Sequence, residues 1–127
     1  MSGGFAKARP PVADPRIEKA LVILRQQIDR PLRMDRLARE CCLSKPQFYR
    51  LFRQTTGLTP ARMLKLLRLQ EALRLLTATT LPVKDIAVRA GFGDLSHFIR
   101  DFSAAHGVTP LGYRASARRT SMRVTLL

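Results

Sequence analysis

Residues 91–110 read GFGDLSHFIRDFSAAHGVTP, and residues 42–60 read CLSKPQFYRLFRQTTGLTP. The second stretch prefigures the first. Phe48 matches Phe98, Arg50 matches Arg100 and Phe52 matches Phe102, and Gly57, Thr59 and Pro60 match Gly107, Thr109 and Pro110, each pair 50 residues apart. Upstream, Leu37 matches Ile86 and Ala38 matches Ala87 at a separation of 49. The offset therefore changes by one residue between the two blocks, where a turn is expected and an insertion is easily absorbed. Two copies are too few for a solenoid, which needs about three or more. Each copy reads as a short helix, a tight turn and a longer helix, the outline of a helix-turn-helix. A small Ala allows close helix approach, Leu43 or Phe92 plugs the turn, and the aromatics anchor the second helix.

Around the repeat the pattern is helical throughout. Asp14 and Pro15 suit a helix start, and Ile17, Leu21, Leu24 and Ile28 recur at helical spacing, with Pro31 as the expected end. MDRLARECC (34–42) and VKDIAVRA (83–90) are the short first helices. Ser44 and Gln47 have the spacing of a capping box, and Gly57 and Gly107 suit left-handed helix ends. Thr59 and Pro60 then open the longest helix, PARMLKLLRLQEALRLLTAT, whose leucines cover most of its circumference, as in a central helix. A last short helix, PLGYRAS, follows Thr109. No β-alternation appears, so the fold class expected is all-α with about seven helices. Two homeodomain-like helix-turn-helix subdomains flank a long linker helix. The expected organisation is a flexible lead over 1–13, a first subdomain over 14–58, a linker helix over 59–78, a second subdomain over 79–116 and a tail over 117–127.

Charge narrows the partners. The chain of 127 residues carries 23 Lys and Arg against 9 Asp and Glu, a net charge of +14. The cations are spread through helices rather than gathered in a tail, which favours a folded basic face and a polyanionic partner, nucleic acid first. Hydrophobic residues make up 46%, enough for a packed core. No run approaches about eighteen apolar residues and the N-terminus lacks an apolar signal core, so no membrane partner and a cytoplasmic, nucleoid-associated location are expected. Cys41 and Cys42 are adjacent and cannot staple a fold, and no second pair accompanies them for a metal. No nucleophile–base pair and no Gly-rich phosphate loop are present, and His97 and His106 lack partners at ligand spacing. Neither an enzyme nor a cofactor is expected.

At Ala38, Leu43, Ser44, Phe48, Arg50, Phe52, Gly57, Thr59 and Pro60, and again at Gly91, Phe92, Phe98, Phe102, Gly107, Thr109, Pro110, Tyr113 and Arg114, the chain resembles the DNA-binding domain of AraC/XylS-type transcriptional regulators. The resemblance covers roughly residues 14–116. It implies a sequence-specific regulator of transcription, leaning to activation, that places two recognition helices in successive major grooves of double-stranded DNA. RNA polymerase is the implied second partner. The sixteen residues from Ala61 to Leu76 would span about 24 Å as a helix, against a groove repeat of ~34 Å. Many relatives carry a further N-terminal sensory or dimerisation domain. This chain therefore reads as a stand-alone member or as the DNA-binding portion of a longer one, with no small-molecule effector expected on it.

By the same analogy, base-contact candidates on the first recognition helix are Pro46, Gln47 at the margin, Tyr49 and Arg50. Arg50 is suited to a bidentate guanine contact, worth roughly 1–3 kcal/mol of discrimination, or alternatively to a phosphate contact or an intramolecular salt bridge. Lys45, Arg53, Arg62 and Ser103 are phosphate-contact candidates, which position without specifying. On the second helix the base-contact candidates are Leu95, Ser96, Ile99 and Arg100. Leu95 is alternatively core, in register with Phe98 and Phe102, and Ile99 either meets a thymine methyl or only packs. Relatives often carry longer polar groups here, so the first unit is expected to supply most of the specificity. Arg62, Lys65 and Arg68 step by three as a basic stripe, either facing DNA or merely solvated. The competing function is general binding of RNA or nucleoid DNA by charge. The ordered repeat and the absence of Trp argue against it.

Overall fold

The computed structural model describes residues 14–126. The lead expected over 1–13 lies outside the described residues. Among the described residues there are seven helices and no strand: α1 (Pro15–Gln26), α2 (Met34–Glu40), α3 (Lys45–Thr56), α4 (Pro60–Ala78), α5 (Val83–Arg89), α6 (Leu95–His106) and α7 (Pro110–Leu126). None is long and apolar enough to cross a membrane. Two compact units divide them. Among the described residues, one holds the chain to Gln26 together with Leu32–Met63, and the other holds Gln27–Pro31 and the chain from Leu64 onward.

In the first unit, the Asp14 carboxylate accepts the Arg16 backbone N–H at 2.9 Å and opens α1. The Arg16 guanidinium also binds it and holds its pKa below the usual carboxylate value. α1 buries Ile17, Ala20, Ile23 and Leu24 against α2 and α3. The Ser44 hydroxyl accepts the Gln47 N–H at 3.3 Å while the Gln47 side-chain oxygen accepts the Ser44 N–H at 3.1 Å, so the expected capping box opens α3. Phe48 and Phe52 are wholly buried, edge to face at 5.5 Å. Each contributes roughly 1.5–3 kcal/mol by leaving water. α3 ends at Gly57, whose φ of 81° lets its N–H return to the Arg53 carbonyl at 2.8 Å.

The second unit repeats this construction. Leu69, Ala72, Leu75 and Leu76 of α4 form one core with Ile86, Ala87 and Ala90 and with Phe98 and Phe102 of α6. Asp94, not Ser, caps α6, its carboxylate accepting the Ser96 N–H at 2.7 Å. The two helix-turn-helix turns share one bonding pattern. Leu43 N–H donates to the Ala38 carbonyl at 3.0 Å, and Phe92 N–H to the Ala87 carbonyl at 2.8 Å. The preceding residues, Cys42 and Gly91, both adopt positive φ, 62° and 94°.

Two expected boundaries move. α1 stops at Gln26 and gives way to a turn well before Pro31. The carbonyls of Ile28 and Arg30 are taken by the Arg68 guanidinium, at 2.8 and 3.0 Å, instead of by helical N–H groups. At the other end, the last helix is not confined to PLGYRAS but runs to Leu126 through the expected tail. After Gly112 that stretch has neither Gly nor Pro to break it.

Candidate nucleic-acid interface

On α3, burial of Phe48 and Phe52 turns the opposite face outward. Lys45, Pro46, Gln47, Arg50 and Arg53 are exposed, and Tyr49 is half-buried. Tyr49 meets Phe48 edge-on with centroids 6.1 Å apart. The Lys45 ammonium sits 5.8 Å from the centroid of the Tyr49 ring, within cation–π range. Arg50 and Arg53 form no ion pair among the described residues. Gln47 is less available than expected, because its side-chain oxygen is held by the Ser44 N–H and hydroxyl; its amide NH2 is the end left to donate.

On α6, Ser96, Ile99 and Arg100 are exposed as expected, and Arg100 is without an ion pair among the described residues. Leu95 is not core: it is 41% exposed, and Ile99 36%. His97 is exposed, and its backbone N–H donates to the Asp94 carboxylate at 3.4 Å, at the start of the helix. Ser103, expected at a phosphate, holds its hydroxyl shielded from solvent with no hydrogen-bond partner among the described residues. The faces also differ in charge. α3 carries Lys45, Arg50 and Arg53 and no acid, whereas α6 with its cap carries Arg100 against Asp94 and Asp101.

The basic stripe on α4 separates into three roles. Arg62, near the helix start, is exposed and free of ion pairs among the described residues. Lys65 pairs with Asp101 at 3.5 Å. Arg68 is structural, its guanidinium half-buried on the Ile28 and Arg30 carbonyls, and burial lowers its pKa from the ordinary value. Sequence reading also left Arg114 without a role. It is buried, and its guanidinium donates to the carbonyls of Leu76 at 3.1 Å, Thr79 at 3.2 Å and Leu81 at 2.6 Å. It thus closes the C-terminal end of α4, where carbonyls lack helical partners and a cation is favoured. Only the recurrence of Arg at this place in the resemblance hinted at it. His106 is the last residue of α6 and packs its ring 4.5 Å from that of Phe102, centroid to centroid. No cluster of three or more His, Cys, Asp or Glu suited to a metal occurs among the described residues.

A family model described as a helix-turn-helix domain matches residues 37–116. An HTH-type transcriptional regulator of Haemophilus influenzae is 33% identical over 81% of this chain and 35% of its own length. The HTH-type transcriptional activator RhaS of Klebsiella pneumoniae is 38% identical over 67% of this chain and 31% of its own length. Among solved structures, the DNA-binding domain of AdpA in complex with a target DNA superposes with a TM-score of 0.79, at 27% identity, over 83% of this chain and 95% of that one. Two helix-turn-helix units in series define the class, and the chain belongs to the AraC/XylS-type helix-turn-helix family. It spans about a third of the length of the curated relatives it matches.

Proposed function

We propose that this chain is the DNA-reading part of a sequence-specific transcription regulator acting on double-stranded DNA. In this reading residues 14–58 and 79–116 are the two readers and 59–78 the linker, and α3 and α6 enter successive major grooves. A B-DNA major groove is about 12 Å wide and admits one helix. The observation that carries the reading is the pair of matched units. Each holds two phenylalanines of its second helix in the core and turns Arg50 or Arg100 outward. A protein that bound by charge alone would have no need of such register. The likeness to a DNA-binding domain solved in complex with a target DNA supports double-stranded DNA as the ligand.

Within the proposal, Arg50 reads guanine, Pro46, Tyr49, Ser96 and Arg100 line the bases, and Lys45, Arg53 and Arg62 meet phosphates. The relatives named as activators favour activation, and RNA polymerase is the proposed second partner and the bacterial cytoplasm the proposed site of action. The test is selection from a randomised duplex pool at about 150 mM salt, where non-specific attraction to a cation of this charge is screened. Enrichment of two blocks about one helical turn apart is expected. A pool that yields no motif would falsify sequence-specific regulation and leave general nucleic-acid binding.

A further inference from the structure

Leu95 and Ile99 stand one helical turn apart on α6, and both are exposed, 41% and 36%. Residues four apart on a helix are surface neighbours, so the two side chains form one apolar row. Ser96 and Arg100 form the adjacent row, also exposed. The corresponding rows on α3 hold Lys45 and Tyr49, and Pro46 and Arg50. Thus the row that carries an ammonium and a phenol in the first unit is aliphatic in the second. Asp94 stands at the cap of this helix, beside the row's first residue. An aliphatic row cannot bind phosphate and cannot hydrogen-bond a base edge. What the major groove offers it is the C5-methyl group of thymine.

We propose that Leu95 and Ile99 read thymine methyl groups, so that the half-site met by α6 is specified chiefly by apolar contact while the half-site met by α3 is specified by Arg50 on guanine. This rests on the site-specific reading proposed above and adds the chemistry of the second half-site. The row then needs thymine at one or two positions, and Arg100 beside it contributes a phosphate or purine contact.

Replacing thymine by deoxyuridine deletes only the methyl and tests this directly. Duplexes of the selected sequence are made with deoxyuridine in one block at a time, and the dissociation constant is measured for the full chain. In one block the loss is expected to be roughly three- to fivefold per methyl read. That penalty should vanish in Leu95→Ala combined with Ile99→Ala and persist in Arg50→Ala, with thermal melts confirming that the variants fold. Both positions are exposed, so folding should survive the change. A selected motif whose binding ignores deoxyuridine in both blocks overturns this inference alone. So does a penalty that survives the double alanine change. A pool that yields no motif overturns it together with the site-specific reading.

Discussion

Gly91 lies directly against the carbonyl oxygen of Ile28: a Cβ added to it would overlap that oxygen and come within 2.7 Å of the Arg68 Nε. The Arg68 Nε in turn donates to the same Ile28 carbonyl at 2.8 Å. A bare Cα thus lets the 27–31 segment and the guanidinium dock together on the second unit.

Gly91→Ala should therefore cost more than the left-handed backbone alone. Gly57 is a built-in control, since its φ is also positive, 81°, but a Cβ there meets nothing within 4 Å. Gly57→Ala is expected to lose about 1 kcal/mol, and Gly91→Ala about 2–4 kcal/mol once the clash is included. Urea unfolding of the two variants measures both. Equal losses would mean that the 27–31 segment moves away at no cost.

Removing the Arg114 guanidinium leaves three carbonyls at the end of α4 to find water. Arg114→Met should destabilise by about 3 kcal/mol. Arg114→Lys should recover only part, because one ammonium cannot reproduce a planar fork of donors. Thermal unfolding distinguishes the two. DNA affinity measured well below the melting temperature should stay within about twofold of wild type, as expected of a change outside the reading faces.

Ser103 offers the opposite sign. Its hydroxyl is buried without a partner among the described residues, so Ser103→Ala should be neutral or stabilising by up to about 1 kcal/mol. Binding to DNA should be unchanged. A clear loss of affinity with a raised dissociation rate would restore the hydroxyl to the phosphate contacts.

The adjacent cysteines should differ in both reactivity and strain. Cys41 is buried, and burial raises its thiol pKa, whereas Cys42 is exposed. In native protein a thiol reagent should modify one cysteine, Cys42, and both only after denaturation. Because Cys42 holds a φ of 62° at the position that Gly91 fills in the second unit, Cys42→Gly should stabilise by about 0.5–1 kcal/mol. Mass spectrometry after labelling and a denaturant midpoint check the two halves.

For DNA, Arg53→Ala should weaken binding about equally across sequences and lower the salt slope by about one, whereas Arg50→Ala should relax preference at a single position. Titrations of a selected and a scrambled duplex at several salt concentrations separate the two patterns. A salt slope that does not change for Arg53→Ala removes it from the phosphate contacts.

Much of this protein is written in local signals. The capping pair Ser44 and Gln47, the Gly-x-Thr-Pro junctions and the Phe48/Phe52 and Phe98/Phe102 spacings each act within one turn of helix, so periodicity and capping chemistry reveal the seven helices and the doubled motif directly. Arg50 and Arg100 were readable as outward for the same reason. The roles of Arg68 and Arg114 were not, because their carbonyl partners lie 33–40 residues away along the chain. Three arginines stepping by three look alike as sequence, yet packing leaves Arg62 in water and half-buries Arg68.

Leu95 marks the boundary between the two kinds of information. Three and seven residues before Phe98 and Phe102, it falls by helical projection on the buried side. It is also the first residue of α6, where the core has already run out, and so it faces solvent. By itself the sequence determined the helices, their caps and the repeat, because those depend on neighbours within a few residues. Only the tertiary structure decided which cations hold the fold, which hydroxyl is shut away and which apolar side chains are left uncovered, because these depend on what distant segments bring alongside.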